Sequence, residues 1–206
     1  TLVCDDFSGY KGCFDLGIIE AGCLALARRK FHEIWANHGS QVGEQALTFF
    51  GELYAVEREV AELVPEERRR IRQERSRQVA DALRRWLTQQ RLRVPEGSAT
   101  AKAFDYSLKR WHALTRYIDD GDLPADNNWV ENQIRPIAIG RNNWLFAGSL
   151  RAGQRAAAVM SLIQSAKLNG LEPHAYLSDV LERLPTQPAS QIADLLPHRW
   201  QLGASI

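Results

Sequence analysis

Apolar residues recur at helical spacing through the middle of the chain. Between residues 42 and 120 they fall at intervals of three and four, which is the spacing of one buried helical face. The first stripe contains Ala46, Phe49, Phe50, Leu53, Val56, Val60 and Leu63. A second stripe follows Pro65, a residue that often opens a helix, and a third follows the break at residues 94–98. The pattern predicts three amphipathic helices packed on each other or on a core.

The N-terminal forty residues have a different pattern. The short apolar run at residues 2–4 predicts a strand that ends at Asp5 and Asp6, and the glycine-bounded segment 17–22 predicts a second strand. The spacing then becomes helical from Cys23 to about Asn37, with Gly39 placed to end the helix.

Beyond residue 120 the pattern again predicts helices. Asp126 or Asn127 would cap a helix that carries Glu131, and Pro136 must end or kink it. Residues 143–148 read as an extended segment, and 153–169 as a helix. A last helix is expected from Pro173 to about residue 184. The tail from 185 is polar, and we expect it to dock only through Ile192, Leu195, Leu196 and Trp200.

Composition narrows the class of protein. Of 206 residues, 45% are hydrophobic and 25% are charged, which is typical of a soluble globular chain. No apolar run approaches the ~20 residues that cross a bilayer, so no membrane partner is expected. The net charge of +1 excludes a protein that is strongly basic over its whole surface, as many nucleic-acid-binding proteins are. Residues 131–155 nevertheless contain four arginines and one acid. Three cysteines without close pairs argue against disulfides and zinc, and fit a cytoplasmic protein.

Two acidic positions are candidates for metal chemistry. Neighbouring side chains on a strand point to opposite faces, so at most one of Asp5 and Asp6 would face a given site; an ordinary acidic turn is the alternative. In the second candidate, Asn127, Glu131 and Arg135 share one helical face, which suits a divalent metal beside a phosphate. By spacing alone, a surface ion pair between Glu131 and Arg135 is the favoured alternative.

Three further segments carry charge or aromatic residues. Residues 140–149 combine Arg141, Asn143 and Trp144, a composition suited to nucleic-acid backbone and exposed bases, although the aromatic residues equally fit a buried strand. Arg28 and Arg29 lie in the first long helix, where a solvated face is the simpler interpretation. The charge run 66–75 most simply predicts an exposed, salt-bridged helix.

Taken together, four segments resemble the insertion sequence 66 transposase family. They are Leu-Val-Cys-Asp-Asp-Phe-Ser-Gly-Tyr at 2–10, Cys-Leu-Ala-Leu-Ala-Arg-Arg-Lys-Phe at 23–31, Asn-Trp-Val-Glu-Asn-Gln-Ile-Arg-Pro at 128–136 and Gly-Arg-Asn-Asn-Trp-Leu-Phe-Ala-Gly-Ser at 140–149. The resemblance implies a DDE-type enzyme with a ribonuclease-H-like core, in which two aspartates and a glutamate hold Mg²⁺ or Mn²⁺.

The family pattern places its second aspartate at Asp5 and its glutamate at Glu131. The first aspartate is expected upstream of Thr1, so the chain resembles a C-terminal portion that has little or no strand-transfer activity alone; whether it is an enzyme by itself is left open. Two positions depart from the pattern: Leu26 stands where the family usually has histidine, and Asn142 where it usually has lysine.

The resulting fold class is α/β and predominantly helical, a partial ribonuclease-H-like core interrupted by an all-α insertion. Residues 1–40 and 121–184 would form the core, 41–120 the insertion and 185–206 a tail. DNA, as element ends and target, is the expected partner, with a homo-oligomer on paired ends and a nucleoid-associated location in the cytoplasm. The expected DNA contacts are Arg135, Arg141, Asn143, Trp144, Arg28 and Arg29. A non-catalytic DNA-binding or regulatory remnant is the alternative, ahead of an unrelated helical protein.

Overall fold

Helices dominate a computed structural model of the chain, which describes residues 1–144 and 147–201; the side chains of 141–144 lie outside that description. About 71% of the described residues are helical. The chain divides into two compact units, one from Thr1 to Val130 and one that begins at Glu131. The helices within the described ranges are too short or too polar to cross a membrane. The predicted boundaries at residues 40, 120 and 184 stay predictions.

Two short strands begin the first unit, as the sequence predicted. Strand β1 (Leu2–Cys4) pairs in parallel with β2 (Glu20–Gly22), so that Leu2 lies opposite Glu20 and Cys4 opposite Gly22. A 3₁₀ turn (Ser8–Tyr10) and the short helix α1 (Lys11–Asp15) connect them. The three cysteines are free thiols, as expected.

Two long helices follow the strands. Helix α2 spans Leu24–His38 and ends at Gly39, whose φ of 60° lies in the left-handed region that glycine adopts without strain. Helix α3 spans Gln41–Val60, and the Ser40 hydroxyl caps it by accepting the Gly43 N–H at 3.4 Å. The predicted helix 23–37 and its glycine stop are confirmed.

The second and third predicted helices are each divided into several elements in the structure. Helix α4 (Pro65–Ile71) passes through a π-helical turn (Arg72–Ser76) into α5 (Arg77–Arg91). Helix α6 (Ala99–Lys109) stops at Arg110, where φ is −102° and ψ is 14°, and the chain resumes as α7 (Trp111–Thr115) and a 3₁₀ turn (Arg116–Ile118). A single third helix was therefore wrong. The break turns the Arg110 side chain toward the strands, where it meets carboxylates.

The predicted apolar stripes form the core of the first unit. The Phe31 ring packs within 5.6 Å of the Phe104 ring and 5.8 Å of the Phe50 ring, joining α2, α3 and α6. Other fully buried members come from every long helix of the unit: Ala27, Ala46, Leu53, Ala80, Leu83, Leu87, Leu114 and Ile118. Burial of these side chains holds the helices to each other and to β2.

Helix α8 spans Asn128–Trp144 and contains Pro136. The proline does not end the helix, contrary to one of the two predicted outcomes, because it removes a single N–H donor and the remaining turns continue past it. The extended segment predicted from residue 143 was also wrong at its start, because Asn143 and Trp144 belong to this helix. Leu145 and Phe146, in the same predicted segment, lie outside the described residues.

The second unit has its own small core. Helices α9 (Leu150–Leu168) and α10 (Pro173–Arg183) match their predictions, and Gly170 has a φ of 72° between them. A 3₁₀ segment (Ala189–Leu195) follows. Of the four tail residues expected to dock, Leu195 is buried and Trp200 packs on Tyr176, whereas Ile192 and Leu196 are exposed. The prediction was therefore wrong for Ile192, on the outer side of the 3₁₀ segment, and for Leu196, which follows the segment.

Candidate functional site

Asp5 is the first residue after strand β1 and is partly exposed. Its Oδ1 accepts the backbone N–H of Phe7 at 3.1 Å, which fixes the carboxylate at the strand end. Within the described residues the structure records no ion pair to Asp5. One oxygen of this carboxylate is therefore free for an external ligand.

Asp6, the next residue, has a different environment. Its Oδ1 is 2.5 Å from Nη1 of Arg110, the residue at the break between α6 and α7. Arg110 also forms an ion pair with Glu20 on β2 and donates to the main-chain oxygen of Asp5 at 3.5 Å. One guanidinium thus pairs with two of the three neighbouring acids, and Asp5 is the one without an ion pair in the described part of the chain.

The groups around Arg110 are held in place from several elements. The guanidinium lies 5.5 Å from the centre of the Tyr106 ring, and the Glu20 main-chain oxygen accepts the Arg116 Nε–H at 2.8 Å. Burial raises the pKa of the Tyr106 hydroxyl to about 12, so that it stays neutral. Burial, followed by the charge of Glu20, also raises the pKa of the Cys4 thiol, which makes Cys4 a poor nucleophile.

The start of helix α8 is bonded to the junction between β2 and α2. The Leu24 N–H donates to the Ala125 oxygen at 2.9 Å. The Tyr54 hydroxyl donates to Asp126 Oδ2 at 2.7 Å, while Asp126 Oδ1 accepts the Asn128 N–H at 3.0 Å. Of the two predicted capping residues, Asp126 is therefore the one that binds the helix start, and each of its oxygens already accepts a hydrogen bond.

Glu131 lies in the first turn of α8 and is partly buried. Arg135, one turn later, is exposed, and among the described residues no ion pair joins the two side chains. The surface pair that spacing alone favoured is thus absent. Asn127 was expected on the same helical face, but it precedes the first helical residue, because the helix begins only after the Asp126 cap.

Asp5 belongs to the first unit and Glu131 opens the second. The meeting of these two carboxylates stays a prediction. No group of three or more His, Cys, Asp or Glu side chains placed to hold a metal occurs within residues 1–140 and 147–201. Asp5 in the first unit and Glu131 in the second therefore stay separate candidate metal ligands.

The predicted DNA contacts fall on accessible positions where the structure describes them. Arg28 and Arg29 are exposed on α2, and Arg135 is exposed on α8. The side chains of Arg141, Asn143 and Trp144 lie outside the description, as does that of Asn142. Leu26 is partly buried on α2.

The sequence did not predict the burial of one arginine, Arg72. Arg72 lies in the charge run interpreted as exposed, yet its side chain is only 2% exposed. It binds Glu57 through two hydrogen bonds of 2.9 and 2.6 Å and donates to three main-chain oxygens, those of Tyr117, Asp120 and Leu123. The available signal was spacing: Arg72 lies about two helical turns before Ala80 and continues the core stripe of Ala80, Leu83 and Leu87.

Comparison with known proteins identifies relatives over nearly the whole chain. The model of the transposase IS66 family matches residues 1–155, and that of the IS66 C-terminal element matches residues 161–198. Among curated proteins, the chain is 36% identical to the uncharacterized protein y4hP of Sinorhizobium fredii over 197 residues, which is 90% of this chain and 36% of y4hP. It is 38% identical to the uncharacterized protein y4jD of the same organism, over 88% of this chain and 36% of y4jD. No solved structure matches.

Proposed function

Because the chain belongs to the IS66 family of transposases, we propose that it supplies part of a catalytic domain that cleaves DNA and joins it to a target by metal-dependent phosphoryl transfer. Asp5 and Glu131 are the proposed metal ligands. The observation that carries the proposal is that the two adjacent acids have different partners. Arg110 forms an ion pair with Asp6, while Asp5 keeps a carboxylate oxygen free at the end of β1.

The donor groups suit Mg²⁺ or Mn²⁺, which take carboxylate oxygens as ligands. Asp5 and Glu131 offer such oxygens and are both free of ion pairs in the described part of the chain. When bound, the metal would make the attacking oxygen a better nucleophile and neutralise charge on the reacting phosphate. A third carboxylate, which the family mechanism requires, is assigned to no residue of this chain.

The chain's own residues would position the reaction rather than bond covalently to DNA. Asp5 is fixed at its strand end by the Phe7 N–H, which limits the orientations of its carboxylate. Exposed guanidinium groups at Arg28, Arg29 and Arg135 would grip backbone phosphates, since a guanidinium offers paired donors. Arg141, Asn143 and Trp144 remain proposed contacts from sequence.

A ribonuclease-H-like core is also part of the proposal. Two features support it: the parallel pairing of β1 and β2, and the location of Asp5 at the carboxyl end of β1. In this arrangement helices α3 to α7 form the insertion between the strands and α8. The chain spans about a third of the length of the curated relatives it matches, so the activity of a whole transposase is a proposal at every step.

Manganese binding tests the metal site without requiring a complete enzyme. The chain is titrated with Mn²⁺ while the electron paramagnetic resonance signal of the free ion is followed, with Mg²⁺ as competitor. We expect Asp5→Asn and Glu131→Gln each to weaken Mn²⁺ binding at least tenfold. Asp6→Asn should change the Mn²⁺ affinity by no more than about twofold, because the Asp6 carboxylate already forms an ion pair with Arg110. Equal losses in the Asp5 and Asp6 variants would contradict the assignment of Asp5.

A further inference from the structure

A groove of about 260 Å³ lies between helices α2 and α6, and none of the residues that line it has been assigned a role so far. Its polar lining comes from Lys30, Glu33, Asn37 and His38 on α2 and from Lys102 on α6. The apolar part of the lining is small, since it comes from Ile34 and two alanines. Such a lining suits a charged, hydrated ligand better than an apolar one.

Lysine is concentrated at this groove. The chain has five lysines, and three of them, Lys30, Lys102 and Lys109, lie on α2 and α6. Lys102 and Lys109 are seven residues apart and therefore share one face of α6. Arg29 stands one helical turn before Glu33, at the margin of the groove. Of the two acids on these helices, Asp105 is paired with Arg91, which leaves Glu33 as the opposing charge.

Lysines and arginines have different roles in the described part of the chain. Every ion pair there uses arginine, and none uses lysine. Five arginines of α4, α5 and the π-helical turn bind carboxylates of the protein itself: Arg70, Arg72, Arg75, Arg77 and Arg91. Lys30 and Lys102 therefore have no carboxylate partner in the described part of the chain, and their ammonium groups are available to an external anion. An ammonium on a flexible stem is a point charge that suits the moving phosphates of a polymer.

The groove is connected to Asp5 by consecutive contacts. The Lys30 Nζ lies 4.6 Å from the centre of the Tyr106 ring, and the Arg110 guanidinium lies 5.5 Å from the same ring. Arg110 in turn donates to the main-chain oxygen of Asp5 at 3.5 Å. All of these residues belong to the first unit. Lys30, Tyr106 and Arg110 thus connect the groove to the strand end that carries Asp5.

We propose that the α2–α6 groove binds the sugar–phosphate backbone of duplex DNA, with Lys30 and Lys102 as its principal contacts and Arg29 and Lys109 at its margins. The inference rests on the proposed function and deepens it, because the reacting phosphate would lie at Asp5 and the flanking duplex would run along α6. The contacts involve backbone charge and no base edges, so the groove binds DNA of any sequence.

Fluorescence anisotropy of a labelled 30-base-pair duplex tests the proposal on the chain itself, between 50 and 200 mM salt. Each lost phosphate contact lowers the salt slope by about 0.9, so Lys30→Gln with Lys102→Gln should lower it by roughly 2 and weaken binding about tenfold. Lys11→Gln with Lys167→Gln removes two exposed lysines elsewhere and should change neither quantity. Glu33→Gln should tighten binding about threefold.

The outcomes separate the groove from the metal site. Lys30→Arg with Lys102→Arg keeps both charges and should retain the wild-type slope, which distinguishes loss of charge from loss of fold. DNA binding that the groove lysines affect no more than Lys11 and Lys167 would overturn the inference. A chain that binds Mn²⁺ through Asp5 but does not bind the duplex would overturn it as well, while leaving the metal site in place. Absence of both Mn²⁺ and DNA binding would overturn the proposed function itself.

Discussion

Arg110 and Asp6 lie 104 positions apart in sequence and form an ion pair with an Nη1–Oδ1 distance of 2.5 Å. The pair joins the end of strand β1 to the break between α6 and α7. Because Arg110 also binds Glu20 on β2, it holds both strands to the helical part of the first unit. The pair also makes the two adjacent acids at the strand end different: Asp6 has a cationic partner and Asp5 does not.

The Arg110 network predicts unequal costs for its members. Arg110→Met should lower the free energy of unfolding by about 1–3 kcal/mol, because it leaves two neighbouring carboxylates without a counter-charge. Asp6→Asn should cost less than about 1 kcal/mol, since Asp6 is half exposed and Arg110 keeps Glu20. Urea unfolding of both variants measures the difference. Equal losses of unfolding free energy in the two variants would contradict this account, because they would mean that Arg110 stabilises the fold through Asp6 alone.

The buried Arg72 predicts a larger loss. Its removal by Arg72→Ala leaves Glu57 and three main-chain oxygens unpaired, so we expect unfolding to become easier by about 3–5 kcal/mol. The neighbouring Arg70 serves as the control: its pairs with Glu67 and Glu74 are exposed, and Arg70→Ala should leave the free energy of unfolding nearly unchanged. Urea titration monitored by circular dichroism gives both values. Similar costs for the two variants would contradict the burial of Arg72.

Two glycines predict opposite responses to alanine. A Cβ at Gly121 would lie 1.7 Å from the Pro65 main-chain oxygen, so Gly121→Ala must shift the backbone of the loop that Arg68 and Arg72 bind. We expect a loss of more than about 2 kcal/mol in unfolding free energy. Gly51 lies within α3 with open space around it, and Gly51→Ala should stabilise by up to about 1 kcal/mol. Melting temperatures that move in the same direction would contradict this packing.

Glu172 predicts a pH dependence in the second unit. Its carboxylate caps α10 by accepting the N–H groups of Ala175 and His174, and these hydrogen bonds lower its pKa below the ordinary 4.5. A lowered pKa in the folded state means that the capping contribution is present above the unfolded pKa and is lost as pH falls through the folded one. Glu172→Gln should therefore unfold at a lower temperature than wild type at pH 7, with the gap narrowing below pH 4.5. A gap that is constant from pH 7 to pH 3 would contradict the charged cap.

Hydrophobic spacing was sufficient to predict most of the helices. The stripes through Phe50, Leu83 and Phe104 became the core, and Gly39 and Gly170 ended helices where predicted. Elements whose limits depend on distant partners were not predictable. The break at Arg110 follows from carboxylates about a hundred positions earlier, which local spacing does not contain.

The candidate site was only partly predictable, for a related reason. Local sequence indicated Asp5 and Asp6 equally, and only the Arg110 contact separates them. Charge composition suggested an exposed run at 66–75, but one arginine of that run is buried because it finds Glu57 and the oxygens of the 117–123 segment. Helical spacing favoured an ion pair between Glu131 and Arg135 that the structure lacks, since proximity on a helix permits such a pair without requiring it.

The central claim is that Asp5 and Glu131 hold the same metal ion, and iron-directed cleavage tests it most directly. Fe²⁺ replaces Mg²⁺ in the chain, and hydroxyl radicals formed with ascorbate and peroxide cut the backbone near the bound ion. The account predicts cuts around both residue 5 and residue 131, suppressed by Mg²⁺ and absent in Asp5→Asn and Glu131→Gln. Cuts at one position alone, or cuts at residue 131 that persist in Asp5→Asn, would contradict it.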